Sequence, residues 1–394
     1  VSSGAAPTTL GARTMRAVAA SAAPAGWANT ATSAIALANA SDLGRLDRGK
    51  TVDVVLGLQM RDVDGAKAAI ASGHKMSRDA FVSQYAPSAA QVFAAVSYLQ
   101  SQGFSNVTVA RNNLLVTASA PAATVEKAFN TSLQAYSVNG KTYFANTQPA
   151  FVPASLGGNV VAVLGLTNAP GFKAVGPAAL KPAPNVIPAV FERNGRSRAN
   201  PCTKNVDTTT GAPVCPRFYD PPTFSITYDV AGTPAASNTE AAIFVVGDPT
   251  IAVSDLRDNE LRYRMPSVEV STIHAGPPSA DTTGNGEWTL DMTYMQGMAF
   301  DLRRIDLYAA TSYAFKDLTV ALNQWAADNV APIMNASVGG CEVFPYQSGD
   351  MLVGDMILVQ AAAQGQTLFA STGDTGGFCG VAGVPPNGGV GGAP

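Results

Sequence analysis

The sequence predicts an α/β chain of two unlike units: an α+β unit on an antiparallel sheet, then a parallel sheet with helices on both faces. Three observations predict it. From residue 51 to 166, short strands and helices alternate without a regular βα repeat, and an Asn139-Gly140 turn joins two of the strands. From residue 224, near-continuous apolar runs such as Ala241–Val246 alternate with helical stretches, the pattern of strands buried on both faces. Between them, prolines recur at 170, 177, 182, 184, 188, 201, 213, 216, 221 and 222, a composition suited to an extended connector.

Residues 1–48 are small and polar with weak periodicity. They read as a flexible lead-in with one short helix around Ala34–Ala40. Thr51–Met60 alternates as a strand, and helices follow over Asp64–Ser72 and Arg78–Tyr85. Ser88 is placed to cap a helix that runs through Val92, Val96 and Leu99 to Gln102, where Gly103 stops it. Asn106–Ala110 and Asn113–Ala118 are strands, and Pro121–Asn130 is a helix opened by its proline. Leu133–Val138 and Lys141–Ala145 form the Asn-Gly hairpin, and Val160–Leu166 closes the unit. The expected result is one open antiparallel sheet covered by helices on one side. In the second unit the expected strands are Ala241–Val246, Val268–His274, Ile305–Ala310, Pro332–Ser337 and Thr367–Ser371. The expected helices are Val253–Tyr263, the stretch from Glu287, Lys316–Asn329 and Met351–Gln364. Ligands of such sheets sit beyond the carboxyl ends of the strands, which singles out Gly339-Gly340 and Thr372-Gly373-Asp374. The expected division is therefore 1–48, 49–167, 168–222 and 223–394.

Composition narrows the function. Of 394 residues, 13% are charged and 46% apolar, so the chain is long and apolar enough for two or three domains, each with a full core. A net charge of −3 without a basic stripe argues against nucleic acid, and no run of eighteen apolar residues is present to span a membrane. The start at Val1 reads as a processed or cut N-terminus, and the Ala, Ser, Thr, Asn and Gly content fits a secreted bacterial protein. Four cysteines allow three pairings; the reading favours Cys202–Cys215 and Cys341–Cys379 in an oxidising compartment. None lies in a Cys-x-x-Cys pair, which disfavours zinc.

The chemistry centres on Gly284-Asn285-Gly286-Glu287-Trp288-Thr289-Leu290-Asp291. Glu287 and Asp291 stand at i and i+4 on a mostly apolar helix, so both carboxyls lie on one face, one turn apart. Like charges repel there, and a buried pair of this kind titrates as a unit. The bland alternative is an acidic helix start favoured by the helix dipole, which suits Glu287 better than Asp291. The two histidines, His74 and His274, lack the surroundings of a Ser-His-Asp triad, so both read as structural; a subtilisin-type mechanism through His274 is the weakest reading. A hydrolytic base in this unit is then a carboxylate.

Gly286-Glu287-Trp288-x-Leu290-Asp291 resembles the paired-acid helix of the sedolisin, or serine-carboxyl peptidase, family. Asn335-Ala336-Ser337-Val338-Gly339-Gly340-Cys341-Glu342 is similar to that family's Asn-x-Ser-x-Gly-x-Cys-Glu segment, and Ser371-Thr372-Gly373-Asp374 to its Ser-Ser-Gly-Asp segment. Tyr228-Asp229 and the Ala241–Gly247 strand resemble the start of the mature enzyme. Residues 51–166 resemble a kumamolisin-type activation propeptide through Gly73-His74-x-Met76-Ser77, Phe81 and Asn139-Gly140-Lys141-x-Tyr143.

The resemblance implies a subtilisin-like parallel sheet, incomplete here, preceded by a propeptide domain. It also implies roles. Glu287 would be the general base, Asp291 its orienting partner and Asp374 a protonated donor to the oxyanion. Ser337, Val338, Gly339 and Gly340 would pair with substrate as an added strand, and Cys341 with Cys379 would match a family disulfide. The partners implied are protein or peptide substrates and the chain's own propeptide as intramolecular inhibitor, with an acidic optimum and a cut in the 168–222 connector. The family's Gly-Thr-Ser nucleophile motif is not found before Pro394, and the calcium expected for the complete enzyme has no ligands in these residues. The chain therefore reads as a secreted precursor shown without its nucleophile and inactive alone. The rival is a non-catalytic secreted binding or inhibitory module that keeps the fold.

Overall fold

The structure is a computed structural model, and it describes residues 22–37, 39–174, 224, 228–230 and 232–371. Up to residue 174 the order is β1 (Trp27–Asn29), β2 (Ser41–Arg45), β3 (Thr51–Leu58), α1 (Val63–Ala71), α2 (Arg78–Gln84), α3 (Ala89–Ser101), β4 (Ser105–Val109), β5 (Leu115–Pro121), α4 (Ala122–Ala128), β6 (Leu133–Val138), β7 (Lys141–Asn146), β8 (Phe151–Pro153), β9 (Val160–Leu164) and β10 (Phe172–Ala174). Local chemistry explains most boundaries. Asp62, Ser77 and Ser88 each accept a backbone N–H at the start of a helix, and Ser88 with Gln91 completes a capping box. Asn139 and Gly140 both take positive φ, as the type I′ turn between β6 and β7 demands.

The antiparallel strands form separate sheets instead of the expected single one. These are a four-stranded sheet in the order β4-β5-β3-β9, a three-stranded sheet β2-β6-β7 and the pair β1-β8. β2 and β1 arise from residues expected to be a lead-in. No helix forms over 34–37 and 39–40, because Ser33 and Ile35 donate their backbone N–H groups to Gln347 and Asn146. A backbone spent on such distant carbonyls has no i−4 bonds to make.

From residue 240 the elements are β11 (Glu240–Val246), α5 (Thr250–Tyr263), β12 (Glu269–His274), α6 (Asn285–Ala299), β13 (Arg304–Ala310), α7 (Phe315–Asp328), β14 (Ile333–Ala336), β15 (Val338–Gly340), α8 (Val343–Ser348), α9 (Asp350–Gln364) and β16 (Thr367–Ala370). Five strands form one parallel sheet in the order β12-β13-β11-β14-β16. The chain steps outward from β11 to β12 through α5 and back to β13 through α6. Two right-handed crossovers in opposite directions would put these helices on opposite faces. Instead α5 and α6 pack on each other, so one crossover is left-handed.

Strand alternation joins the two regions. On β3, Val52, Val54, Leu56 and Leu58 enter a core shared with Leu99, Val125 and Phe129. Val55, on the opposite face, belongs to the core that holds Val353, Met356 and Ile357 of α9. One face of the antiparallel sheet is thus covered by its own helices and the other by the C-terminal region. Gly57 faces Val353 so closely that a β-carbon at 57 would overlap that side chain.

Candidate active site

The helix bearing the two acids is held at its first turn. Trp288 is fully buried, and its Nε1 donates to Val246 O at the end of β11 over 3.2 Å. Gly284 leaves no room for a side chain: a β-carbon there would lie 2.6 Å from the Trp288 ring. Asn285 accepts from Ala252 N at 2.9 Å and donates to Asp248 O at 2.8 Å and Thr282 O at 3.0 Å, which ties the helix start to the loop after β11. With Trp288 turned inward, Glu287 and Asp291 remain only 8% and 9% exposed.

Asp291 meets the carboxyl end of β14. Ser337 Oγ donates to Asp291 Oδ1 at 2.8 Å, and Asn335 Nδ2 donates to Ser337 Oγ at 3.4 Å. Burial pushes the Asp291 carboxyl up to about 6, against the opposing pull of hydrogen bonds from Ser337 and Asn335. Its Oδ2 is buried without a hydrogen-bond partner. A buried carboxyl with one oxygen held and the other without a partner is poised to share a proton.

Beyond Ser337 the chain turns into β15, and β15 is occupied. Phe172, Lys173 and Ala174 of β10 pair antiparallel with Gly340, Gly339 and Val338. On the other side, Pro170 bridges Ala314, and Gly171 N donates to Tyr313 O at 3.2 Å. The segment 170–174 is therefore an extended strand laid between the loop after β13 and β15. It advances toward Ser337, and so toward the Asp291 carboxyl.

Of the residues singled out from the sequence, Glu287, Asp291, Ser337, Val338, Gly339 and Gly340 gather at the carboxyl end of the parallel sheet. The Ser337 side chain is buried against Asp291, a contact that strand pairing alone does not require. Cys341 is buried just before α8, while Asp374, Cys202, Cys215 and Cys379 lie outside the described residues. His74 and His274 are exposed, and His274 sits near Asp248 at the end of β12. Sequence reasoning gave Asn335 and Asn285 no role. The Asn335-x-Ser337 spacing, which puts both side chains on one face of a strand, was the available signal. Among the described residues no group of three or more His, Cys, Asp or Glu is placed to hold a metal ion, and no helix is long and apolar enough to cross a membrane.

Comparison with known proteins gives the following relatives. Residues 38–169 match the pro-kumamolisin activation domain. Sedolisin from Pseudomonas sp. (strain 101) is 33% identical over 385 residues, covering 91% of this chain and 61% of the relative. Xanthomonalisin from Xanthomonas sp. (strain T-22) is 31% identical over 349 residues, covering 84% of this chain and 40% of the relative. The chain thus spans less than two thirds of the length of either curated relative. A solved structure of Pseudomonas sedolisin, a serine-carboxyl proteinase in complex with two molecules of pseudo-iodotyrostatin, is 34% identical over 43% of this chain and 48% of that one, with a TM-score of 0.41. Residues 38–169 thus match an activation domain of the pro-kumamolisin type, and the chain is related in sequence over most of its length to sedolisin and xanthomonalisin.

Proposed function

We propose that the chain is the precursor of a secreted, acid-acting serine-carboxyl endopeptidase, with residues 49–167 as inhibitory propeptide, 168–222 as the connector that is cut, and 223–394 as part of the peptidase domain. The observation that carries this reading is the β10–β15 pairing beside Asp291. An extended backbone there makes the main-chain hydrogen bonds a peptide substrate would make by strand addition. The connector stands in the place of substrate and keeps others out.

In this reading Glu287 removes the proton from a serine that lies beyond residue 394 and later returns it to the leaving amine. Asp291 orients Glu287 and shares its charge, and Asp374, protonated, donates to the tetrahedral oxyanion. An acid–base system of carboxyls, one of them held near 6, works in acidic solution. The proposed disulfides are Cys202–Cys215 and Cys341–Cys379; no cysteine among the described residues is free. Calcium belongs to the complete enzyme, and no ligand for it is assigned among these residues.

The test uses the full-length precursor incubated at acidic pH. N-terminal sequencing should find a first cut in the connector after Ala174 and before Phe224, and Glu287→Gln should abolish both that cut and turnover of an unstructured protein substrate. Near-normal kcat in Glu287→Gln, or a first cut inside residues 51–166, would overturn the reading.

A further inference from the structure

Far from the acid pair, one propeptide side chain is sunk into the C-terminal region. Asn112, in the turn between β4 and β5, is 0% exposed. Its Nδ2 donates to Asn323 Oδ1 on α7 and to Gln360 Oε1 on α9, both at 2.7 Å. Its Oδ1 accepts from Leu114 N at 3.3 Å and from Asn323 Nδ2 at 3.4 Å. The amide thereby satisfies both its donors and its acceptor in a fully buried place.

The orientation of this socket is forced from below. Gln366 Nε2 donates to the carbonyls of Trp325 and Ala331, each at 3.2 Å, and carbonyls can only accept. Gln366 Oε1 must then face Gln364, whose Nε2 donates to it and to Ala326 O, each at 2.8 Å. Gln364 Oε1 in turn takes Gln360 Nε2 at 3.1 Å, and Gln360 Nε2 also reaches Ala326 O at 3.3 Å. With its NH₂ group spent, Gln360 can offer only an oxygen to position 112. On its Gln360 side the socket accepts and demands a donor.

We propose that Asn323 and Gln360 form a recognition socket that selects the propeptide by a side-chain amide at position 112, a hold that carries no charge and does not weaken on acidification. The proposal rests on residues 38–169 acting as propeptide, and not on the acid pair. It separates two grips: the β10 strand on β15, which a cut after Ala174 leaves on the propeptide piece, and the Asn112 socket, which lies within the propeptide domain itself. The nearby charges are Arg111, whose Nη1 lies 3.5 Å from Asp328 Oδ1, Asp328 itself, which accepts from Gln324 Nε2 at 2.8 Å and Tyr308 OH at 3.4 Å, and Lys75, whose side chain packs against Gly365 between Gln364 and Gln366. Arg78 of α2 also approaches this end of α7, at Ala327 O.

The experiment uses the full chain with a specific protease site inserted at Gly195, so that an added protease cuts the connector without any activity of the chain itself. Affinity between the two pieces is measured at pH 7 and pH 4. Asn112→Ala and, on the other side, Gln360→Met should each weaken it about 10- to 100-fold at both pH values, the effect of stranding a buried polar group. Asn112→Asp distinguishes a donor-demanding socket from mere packing. Ionised, it has only acceptors to set against Gln360 Oε1 and should release the propeptide at pH 7; protonated, it regains one O–H donor and should rebind at pH 4. The Asn112→Ala profile supplies the background from Arg111, Asp328, Lys75 and Arg78. Asn112→Asp binding as tightly as wild type at pH 7, or following the Asn112→Ala profile, would overturn the proposal, as would unchanged affinity in Gln360→Met.

Discussion

Ser337 stands where two demands meet: its backbone leads into the strand that pairs with β10, and its hydroxyl holds Asp291. Removing the hydroxyl takes a donor from a buried carboxyl and leaves Oδ1 as bare as Oδ2. In the full-length enzyme, Ser337→Ala should lower kcat roughly tenfold or more, the effect of losing a hydrogen bond to a charged group. The sign of the pH effect follows from the same bond. The donor stabilises the ionised form and holds the pKa down, so its loss moves the Asp291 titration above the present value of about 6. The limb of the kcat profile that this group sets should shift to higher pH, and Ser337→Thr should restore it. A loss of kcat with an unmoved profile would make Ser337 a packing residue only. The acids themselves were legible in the sequence, since i and i+4 on one helix is a local relation. The partner of Asp291 was not, because it comes from a strand 46 residues away. Asn112 is a stronger case: nothing around it in sequence marks a turn residue as the tenant of a pocket built from α7 and α9.

At the level of the element, the placement of α6 depends on how it begins. Gly284 has φ of −86°, which any residue adopts, so its need for glycine is steric. The Trp288 ring occupies the space of a β-carbon, and that ring is bonded to β11 through Val246 O. Gly284→Ala must move either the ring or the helix. It should destabilise the fold by about 1–3 kcal/mol, as overpacking of a close-packed site does. It should also reduce kcat, because the ring sits between the two acids in sequence and sets their rotation about the helix axis. Equilibrium unfolding and kcat measured together check this; stability lost with kcat unchanged would separate the helix start from the acid geometry. Most helices and central strands were legible from apolar period and capping residues, and Ser88 with Gln91 realised its box. β1, β2 and β10 were not. Each is a short strand whose partner lies far along the chain, and β10 has only the edge at β15 to define it. The left-handed crossover around α5 and α6 was equally hidden, since no local pattern encodes handedness.

At the scale of the whole molecule, two buried carboxyls among the described residues are raised far enough to tie stability to pH. Asp291 and Asp350 are both pushed up to about 6 from 3.8, burial being the largest cause for each. Asp350 opens α9, where it accepts from Thr319 Oγ1 and Ser348 Oγ, each at 2.7 Å. Lys316 draws its pKa down and Asp317 raises it. A carboxyl whose pKa is higher folded than unfolded binds its proton more tightly in the native state. Its stabilising effect is complete below 3.8 and is lost as pH rises through about 6. Two pKa units correspond to about 3 kcal/mol per group, so these two carboxyls should favour the folded state in acid and lose that contribution toward neutrality, while Glu260, held below its ordinary value, contributes in the opposite sense. Asp350→Asn isolates one group. The amide oxygen can accept from one hydroxyl and the amide NH₂ can donate to the other, so the pocket keeps its bonds while losing its titration. The variant should gain stability at pH 7 relative to wild type and should lose part of the wild-type decline between pH 4 and pH 7. Denaturant unfolding at both pH values, with Asp291→Asn as the parallel case, measures it. An Asp350→Asn protein that declines between pH 4 and pH 7 as steeply as wild type would show that Asp350 is already ionised in its pocket, held by its two hydroxyls and the start of α9.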